Sequence, residues 1–134
     1  MERTLVILKP DTVKRKLIGE LITRIERKNY AISALKMINI PRSVAEKHYE
    51  HVKDIPVYDD MIDFMTSGPV VIMVVEGENV IQTVRNLIGK TNSFEAAPGT
   101  IRGDFGSSRY QNLIHASDSI ENAEIEIKRF FNEC

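Results

Sequence analysis

Apolar residues fall into a few runs along the chain, and their period gives the type of each element. RTLVILK, residues 3–9, is a near-continuous apolar run stopped by Pro10, which predicts a buried strand. Over residues 17–29, Ile18, Leu21, Ile22 and Ile25 recur at helical spacing with charges opposite, which predicts an amphipathic helix. YAISALKMINI, residues 30–40, alternates apolar with small or polar positions, as a strand half-buried on one face does, and Pro41 ends it. Residues 43–52 and 59–66 predict two short helices around Pro56. Ser67-Gly68-Pro69 is a turn signal before an apolar strand at 70–75. Residues 79–88 are helical again, with Val80, Ile81, Val84, Leu87 and Ile88 on one face. An irregular stretch, 89–111, carries Gly89, Pro98, Gly99, Gly103 and Gly106. A loop of that length in a small domain is functional or disordered. A short strand at 112–115 and a helix at 118–131 close the pattern. Ile120, Ala123, Ile127 and Phe130 give that helix its core face, and Asp118 with Glu121 resembles a capping box at its start.

The order β-α-β-(αα)-β-α-(loop)-β-α predicts an α/β (α+β) sandwich, a ferredoxin-like four-stranded antiparallel sheet covered by helices. A fold class does not name a function. Length and composition narrow the choice. A chain of 134 residues, 43% hydrophobic, suits one compact domain over residues 1–134. Its 18 basic and 19 acidic residues leave a net charge of −1, which argues against a basic surface for nucleic acid. The apolar run at 69–75 is far shorter than the roughly 18 residues of a membrane span, and Leu5–Leu8 is too short for a signal peptide. A lone cysteine, Cys134, cannot form an intrachain disulfide. The expectation is a soluble, cytoplasmic protein without membrane or nucleic-acid partners.

Several residues are candidates for chemistry. Gly89-Lys90-Thr91 looks like the end of a P-loop, but the glycine such a loop needs five positions earlier is Val84, inside a helix. Gly89 is then a helix C-cap. His48 and His51 share a helical face and could ligate a metal, yet no third ligand lies nearby in sequence. Lys9 at a strand end, with Arg85, Lys90, Arg102 and Arg109 around turn glycines, suits phosphate oxygens; each also fits a plain surface charge. His115, in NLIHASDS, fits either a core histidine bonded to backbone or a nucleophile. Small neighbours, a following helix start and the arginine-bearing loop favour the second, and with phosphate-binding cations the reaction would be phosphoryl transfer through phosphohistidine.

These stretches also carry a resemblance. LVILKPDTV, KHYEHVKDIP, SGPVVIMVVEG, VRNLIGKTN, APGTIRGDF and NLIHASDS are similar to nucleoside diphosphate kinases along nearly the whole chain. The resemblance implies reversible ping-pong exchange of a γ-phosphate between nucleoside triphosphates, mainly ATP, and diphosphates. His115 would carry the phosphoryl group on Nδ1, with Glu126 and Ser117 orienting its far nitrogen and Tyr49 close by. Lys9 would touch the phosphates and ribose, and Asn112 the ribose 3′-hydroxyl. Arg85, Thr91 and Arg102 would hold the β- and γ-phosphates, and Asp118 would stand near a Mg²⁺, through water. The family also implies a homo-oligomer, a tetramer or hexamer built from dimers; the length of 89–111 leads us to expect that it contacts neighbouring subunits. The chain departs from the family where the base should sit. Val57 replaces the usual stacking aromatic, Arg109 replaces a small apolar residue, and Tyr110-Gln111 replaces Gly-Arg.

Two rival readings remain. One is a non-catalytic nucleotide-binding regulatory module on the same layout. The other is an RNA-binding domain, echoed faintly by RGDF at 102–105, but the strands at 30–40 and 69–75 supply almost none of the aromatics that would stack bases.

Overall fold

The computed structural model describes residues 1–132; Cys134 lies outside them. Its elements are β1 (Glu2–Leu8), α1 (Pro10–Lys14), α2 (Ile18–Arg27), β2 (Ala31–Ile38), α3 (Arg42–His48), a 3-10 turn (Glu50–Val52), α4 (Tyr58–Met65), β3 (Val70–Gly77), α5 (Val80–Ile88), α6 (Ile101–Phe105), β4 (Ile114–Ala116) and α7 (Ile120–Phe130). The strands form one sheet in the order β2-β3-β1-β4, with every neighbouring pair antiparallel. This is the ferredoxin-like arrangement that the element order predicts.

The two central strands explain the continuous apolar runs. Val6 and Leu8 of β1 and Met73 and Val75 of β3 face a core with Leu21 and Ile25 of α2 and Val84 and Ile88 of α5. Leu5, Ile7, Ile72 and Val74 face the opposite core, with Ile62 and Met65 of α4 and Ile127 and Phe130 of α7. Successive residues thus serve opposite faces, and both faces are covered. The edge strand β2 alternates half-buried and exposed positions, and leaves Leu35 and Met37 about half exposed. No helix among the described residues is long and apolar enough to cross a membrane.

Four boundaries differ from the sequence pattern. Pro10 ends β1 but also starts α1, because a proline in the first helical turn forfeits no intrahelical bond. The stretch 89–111 contains α6, whose first turn is capped by Thr100 Oγ1 accepting from the Gly103 amide at 3.0 Å. β4 begins at Ile114 rather than 112, because Leu113 sits at φ 77° and cannot continue a strand. α7 is capped by Ser119, whose Oγ accepts from the Asn122 amide at 3.1 Å. Asp118 instead accepts from the Asn122 side-chain amide at 2.6 Å, and Ile120 is 54% exposed rather than part of the core face.

Candidate active site

The end of β1 and the start of β4 lie side by side, with Ile7 opposite His115. The chain entering β4 is clamped at Leu113. Its amide donates to Asp11 Oδ2 at 3.1 Å, and its carbonyl accepts from the Lys9 amide at 2.8 Å and from Thr12 Oγ1 at 2.6 Å. These three bonds hold a buried leucine in the left-handed region that L residues avoid. The strain fixes where Asn112 and His115 stand on either side.

His115 is partly buried, and its Nε2 lies 3.0 Å from Glu126 Oε1 on α7. The same carboxylate oxygen accepts from Ser117 Oγ at 2.7 Å, and Ser117 Oγ in turn accepts from the Leu5 amide at 3.1 Å. A carboxylate only accepts, so the ring proton belongs on Nε2 and Nδ1 is left with its lone pair. Burial pushes the Glu126 carboxyl up, but the hydrogen bond and charge of His115, with the Ser117 hydrogen bond, override it and hold it at about 2.

A cavity of about 880 Å³ opens beside this histidine, of a size for a nucleotide-like ligand. Lys9, Tyr49, Val57, Arg85, Thr91, Arg102, Asn112, His115, Asp118 and Glu126 all line it. Ser117 is fully buried behind His115 and acts through Glu126. Lys90 and Arg109 do not line the cavity; Arg109 instead lies over the Tyr110 ring, 5.8 Å from its centre. The P-loop likeness at Gly89 has no structural counterpart. Gly89 caps α5 at φ 92°, and a side chain there would collide with Thr100.

The cations have distinct environments. Lys9 Nζ donates to Asn112 Oδ1 at 2.7 Å, and Asn112 Nδ2 donates to the Thr91 carbonyl at 2.8 Å. Burial, then the charge of Arg102, lower the Lys9 amine to about 8. Arg102 is buried and donates to the carbonyls of Asn112 (3.2 Å), Gly89 (3.1 Å) and Ile114. Arg85 spends one nitrogen on the Ala116 carbonyl at 3.3 Å, which leaves the rest of its fork for a ligand. Asp118 is exposed at the cavity wall, with one oxygen on Asn122 and the other without a partner among the described residues. That donor set suits a hard divalent cation held by one carboxylate, waters and substrate phosphates.

His48 has a place its sequence did not reveal. It is buried against His115, ring centres 4.7 Å apart and edge to face, and its Nδ1 is 2.9 Å from Arg129 Nη1. Among the described residues, the cluster with metal-ligand spacing joins His48 to His115 and Glu126 and does not include His51, which lines the cavity. The helical period put His48 and His51 on one face but gave no sign of α7. Burial, then the charge of His115, lower His48 from 6.5 to about 3. Burial also raises the Tyr49 phenol, with the Glu126 charge adding to it.

These shifts give acid sensitivity a sign. The unfolded chain takes up the His48 proton near 6.5 and the folded one near 3; for Glu126 the values are 4.5 and about 2. Both folded values are depressed, so stability is complete above the unfolded values and is lost as pH falls. The urea midpoint should therefore decline from pH 6.5 towards 3, and His48→Gln should flatten the upper part of that decline. A midpoint that stays level in the wild type between those values would contradict the assignment.

Comparison with known proteins places this geometry. The family model described as nucleoside diphosphate kinase matches residues 2–134. A nucleoside diphosphate kinase of Acetivibrio thermocellus is 64% identical over 133 residues, covering 99% of this chain and 98% of that protein. One from Methanocaldococcus jannaschii is 60% identical over 98% of this chain and 94% of its own length. Among solved structures, the nucleoside diphosphate kinase of Halobacterium salinarum in complex with CDP superposes with a TM-score of 0.96 at 45% identity, covering 98% of this chain and 88% of that one. The apo enzyme of Encephalitozoon cuniculi gives 0.97 at 44% identity, over 99% and 90% of the two chains.

Proposed function

The chain belongs to the nucleoside diphosphate kinase family, and we propose that His115 is the residue that carries the phosphoryl group between nucleotides. The activity is reversible transfer of the terminal phosphate from a nucleoside triphosphate to a nucleoside diphosphate. The observation that carries the assignment is the Nε2 bond of His115 to Glu126, which leaves the Nδ1 lone pair beside a cavity walled by cations.

In the first half-reaction Nδ1 attacks the γ-phosphorus, the bond to the β–γ bridging oxygen breaks, and the diphosphate leaves with that electron pair. In the second, a terminal oxygen of the acceptor diphosphate attacks the same phosphorus and the P–N bond breaks back to the ring. The Nε2 proton stays in its bond to Glu126 throughout, so the ring needs no separate base. Lys9 and the open fork of Arg85 meet the phosphate oxygens, and Thr91 offers its hydroxyl. Arg102 adds charge from behind. Asn112 Oδ1 keeps a second lone pair for a ribose hydroxyl. Phosphoryl transfer is mainly an electrostatic problem, and a fixed set of donors is what lowers its barrier. Asp118 would hold Mg²⁺ through water, and the cation would supply charge to neutralise the phosphates.

The base side is less well furnished. Val57, at the start of α4, presents no ring, while Tyr110, 52% exposed, lines the same cavity. Val57→Phe should tighten nucleotide binding several-fold, by roughly 1 kcal/mol of stacking, with kcat little changed. Equal dissociation constants in the two proteins by calorimetry would count against it.

A homo-oligomer, a tetramer or hexamer built from dimers, completes the reading. The open backbone edge of β2 with exposed Leu35 and Met37, and Phe94 at 73% exposure in the 89–111 stretch, support it. Leu35→Lys with Met37→Glu should lower the mass seen in sedimentation, and unchanged mass would remove β2 from the interface. A cytoplasmic location is supported by the nucleotide substrates and the single cysteine.

Incubation with γ-labelled ATP and Mg²⁺ tests the function directly. The expected product is an acid-labile, base-stable label on the protein, discharged by any nucleoside diphosphate. Nucleotide binding without label would favour the regulatory-module reading.

A further inference from the structure

His48, His115 and Glu126 each offer one ligand atom, and these atoms lie within 4.8 Å of one another. Two imidazoles and a carboxylate are the protein donors of open zinc sites. A tetrahedral zinc with bonds near 2.0–2.1 Å holds its ligand atoms roughly 3.3 Å apart. His115 Nε2 and Glu126 Oε1 are already 3.0 Å apart, so only His48 would have to move inward. A metal there would either break the bond from His115 to Glu126 or take the lone pair that attacks phosphorus.

Arg129 stands against this. It follows Glu126 by one turn on α7, and its Nη1 lies 2.9 Å from His48 Nδ1. A guanidinium has donors only, so His48 Nδ1 is the acceptor and the ring proton is on Nε2. Both nitrogens of His48 are therefore closed to a metal, one by Arg129 and one by its proton. The fixed positive charge beside the cluster adds repulsion. Arg129 also lines the cavity, and the Phe130 ring packs 5.6 Å from that of His48.

We propose that Arg129 guards the His48–His115–Glu126 cluster against borderline-soft divalent cations such as Zn²⁺. The hard cation that arrives with the substrate phosphates is then the one metal the site admits. The consequence for phosphoryl transfer rests on the role of His115 given above; metal exclusion itself does not.

The test is a calorimetric titration of the nucleotide-free protein with zinc sulfate near neutral pH. Arg129→Met, which keeps bulk and removes the donor, should bind one Zn²⁺ per chain at least about tenfold more tightly than wild type. Arg129→Lys should behave like wild type, and adding His48→Gln to Arg129→Met should abolish the gain. Zinc should suppress labelling by γ-labelled ATP in the same order. Equal zinc affinity in wild type and Arg129→Met, or a gain that survives His48→Gln, would overturn the proposal. Arg129→Leu, which also lacks a donor, replaces Arg129→Met if circular dichroism shows the latter unfolded. Zinc binding in the expected order with no labelling in any protein would refute the phosphohistidine reading and leave the guard intact.

Discussion

His115→Ala should lose the nucleotide-derived label entirely, and phosphate exchange should fall by about four to six orders of magnitude, the scale of removing a covalent nucleophile. Two nucleophilic neighbours at the cavity are committed elsewhere. His48 lies next to it but has its Nδ1 bonded to Arg129 and is held neutral at about 3. Lys9 is an amine at about 8, tied to Asn112. Glu126 variants grade the same site. Glu126→Gln keeps an amide oxygen that accepts from His115 Nε2, so the tautomer survives and the loss should be near tenfold. Glu126→Ala leaves His115 Nε2 and Ser117 Oγ without their common acceptor, and the loss should reach about a hundredfold or more. Rapid-quench labelling separates these steps. A labelled His115→Ala protein would end the nucleophile assignment, and equal rates in the two Glu126 variants would end the orienting role.

Most of the fold was legible because the central strands are buried on both sides. Val70–Val75 must be apolar throughout, and no helix of that composition fits between the flanking turn and Gly77. α1 and α6 have five residues each, too few to show a helical period. The start of β4 was misplaced because nothing in the sequence says that Asp11, about a hundred residues away, will hold Leu113 left-handed. The site was legible in a different way. Its members run from Lys9 to Glu126, and spacing could make each a candidate but could not bring them together. The family resemblance did that, residue by residue. It gave no notice of Arg129 and His48, because a cation on the last turns of an amphipathic helix looks like any solvated charge.

Arg102 should prove to be structure first and catalyst second, and its removal should cost more stability than any other change at the cavity. Its three bonds go to backbone carbonyls: Gly89 at the end of α5, and Asn112 and Ile114 around the start of β4. It therefore ties the phosphate-facing loop to the strand that carries the nucleophile. Burial, then Arg85, lower it to about 10, so it stays charged at neutral pH and its donors remain strong. Arg102→Met fills similar space but removes a donor from three carbonyls, of which, among the described residues, only that of Asn112 keeps a second bond, from the Ile114 amide at 2.9 Å. At about 1–3 kcal/mol for each buried group, offset partly by water entering the cavity, the expected loss is about 3–5 kcal/mol. Arg102→Lys can satisfy one carbonyl well and should recover about a third of that. Exchange activity should fall about a hundredfold or more in Arg102→Met even with saturating nucleotide, because His115 loses its fixed position along with a nearby cation. Urea unfolding and steady-state kinetics on the same preparations decide the order of roles. If Arg102→Met is as stable as wild type yet inactive, its work is on the phosphate alone, and the carbonyl bonds are incidental.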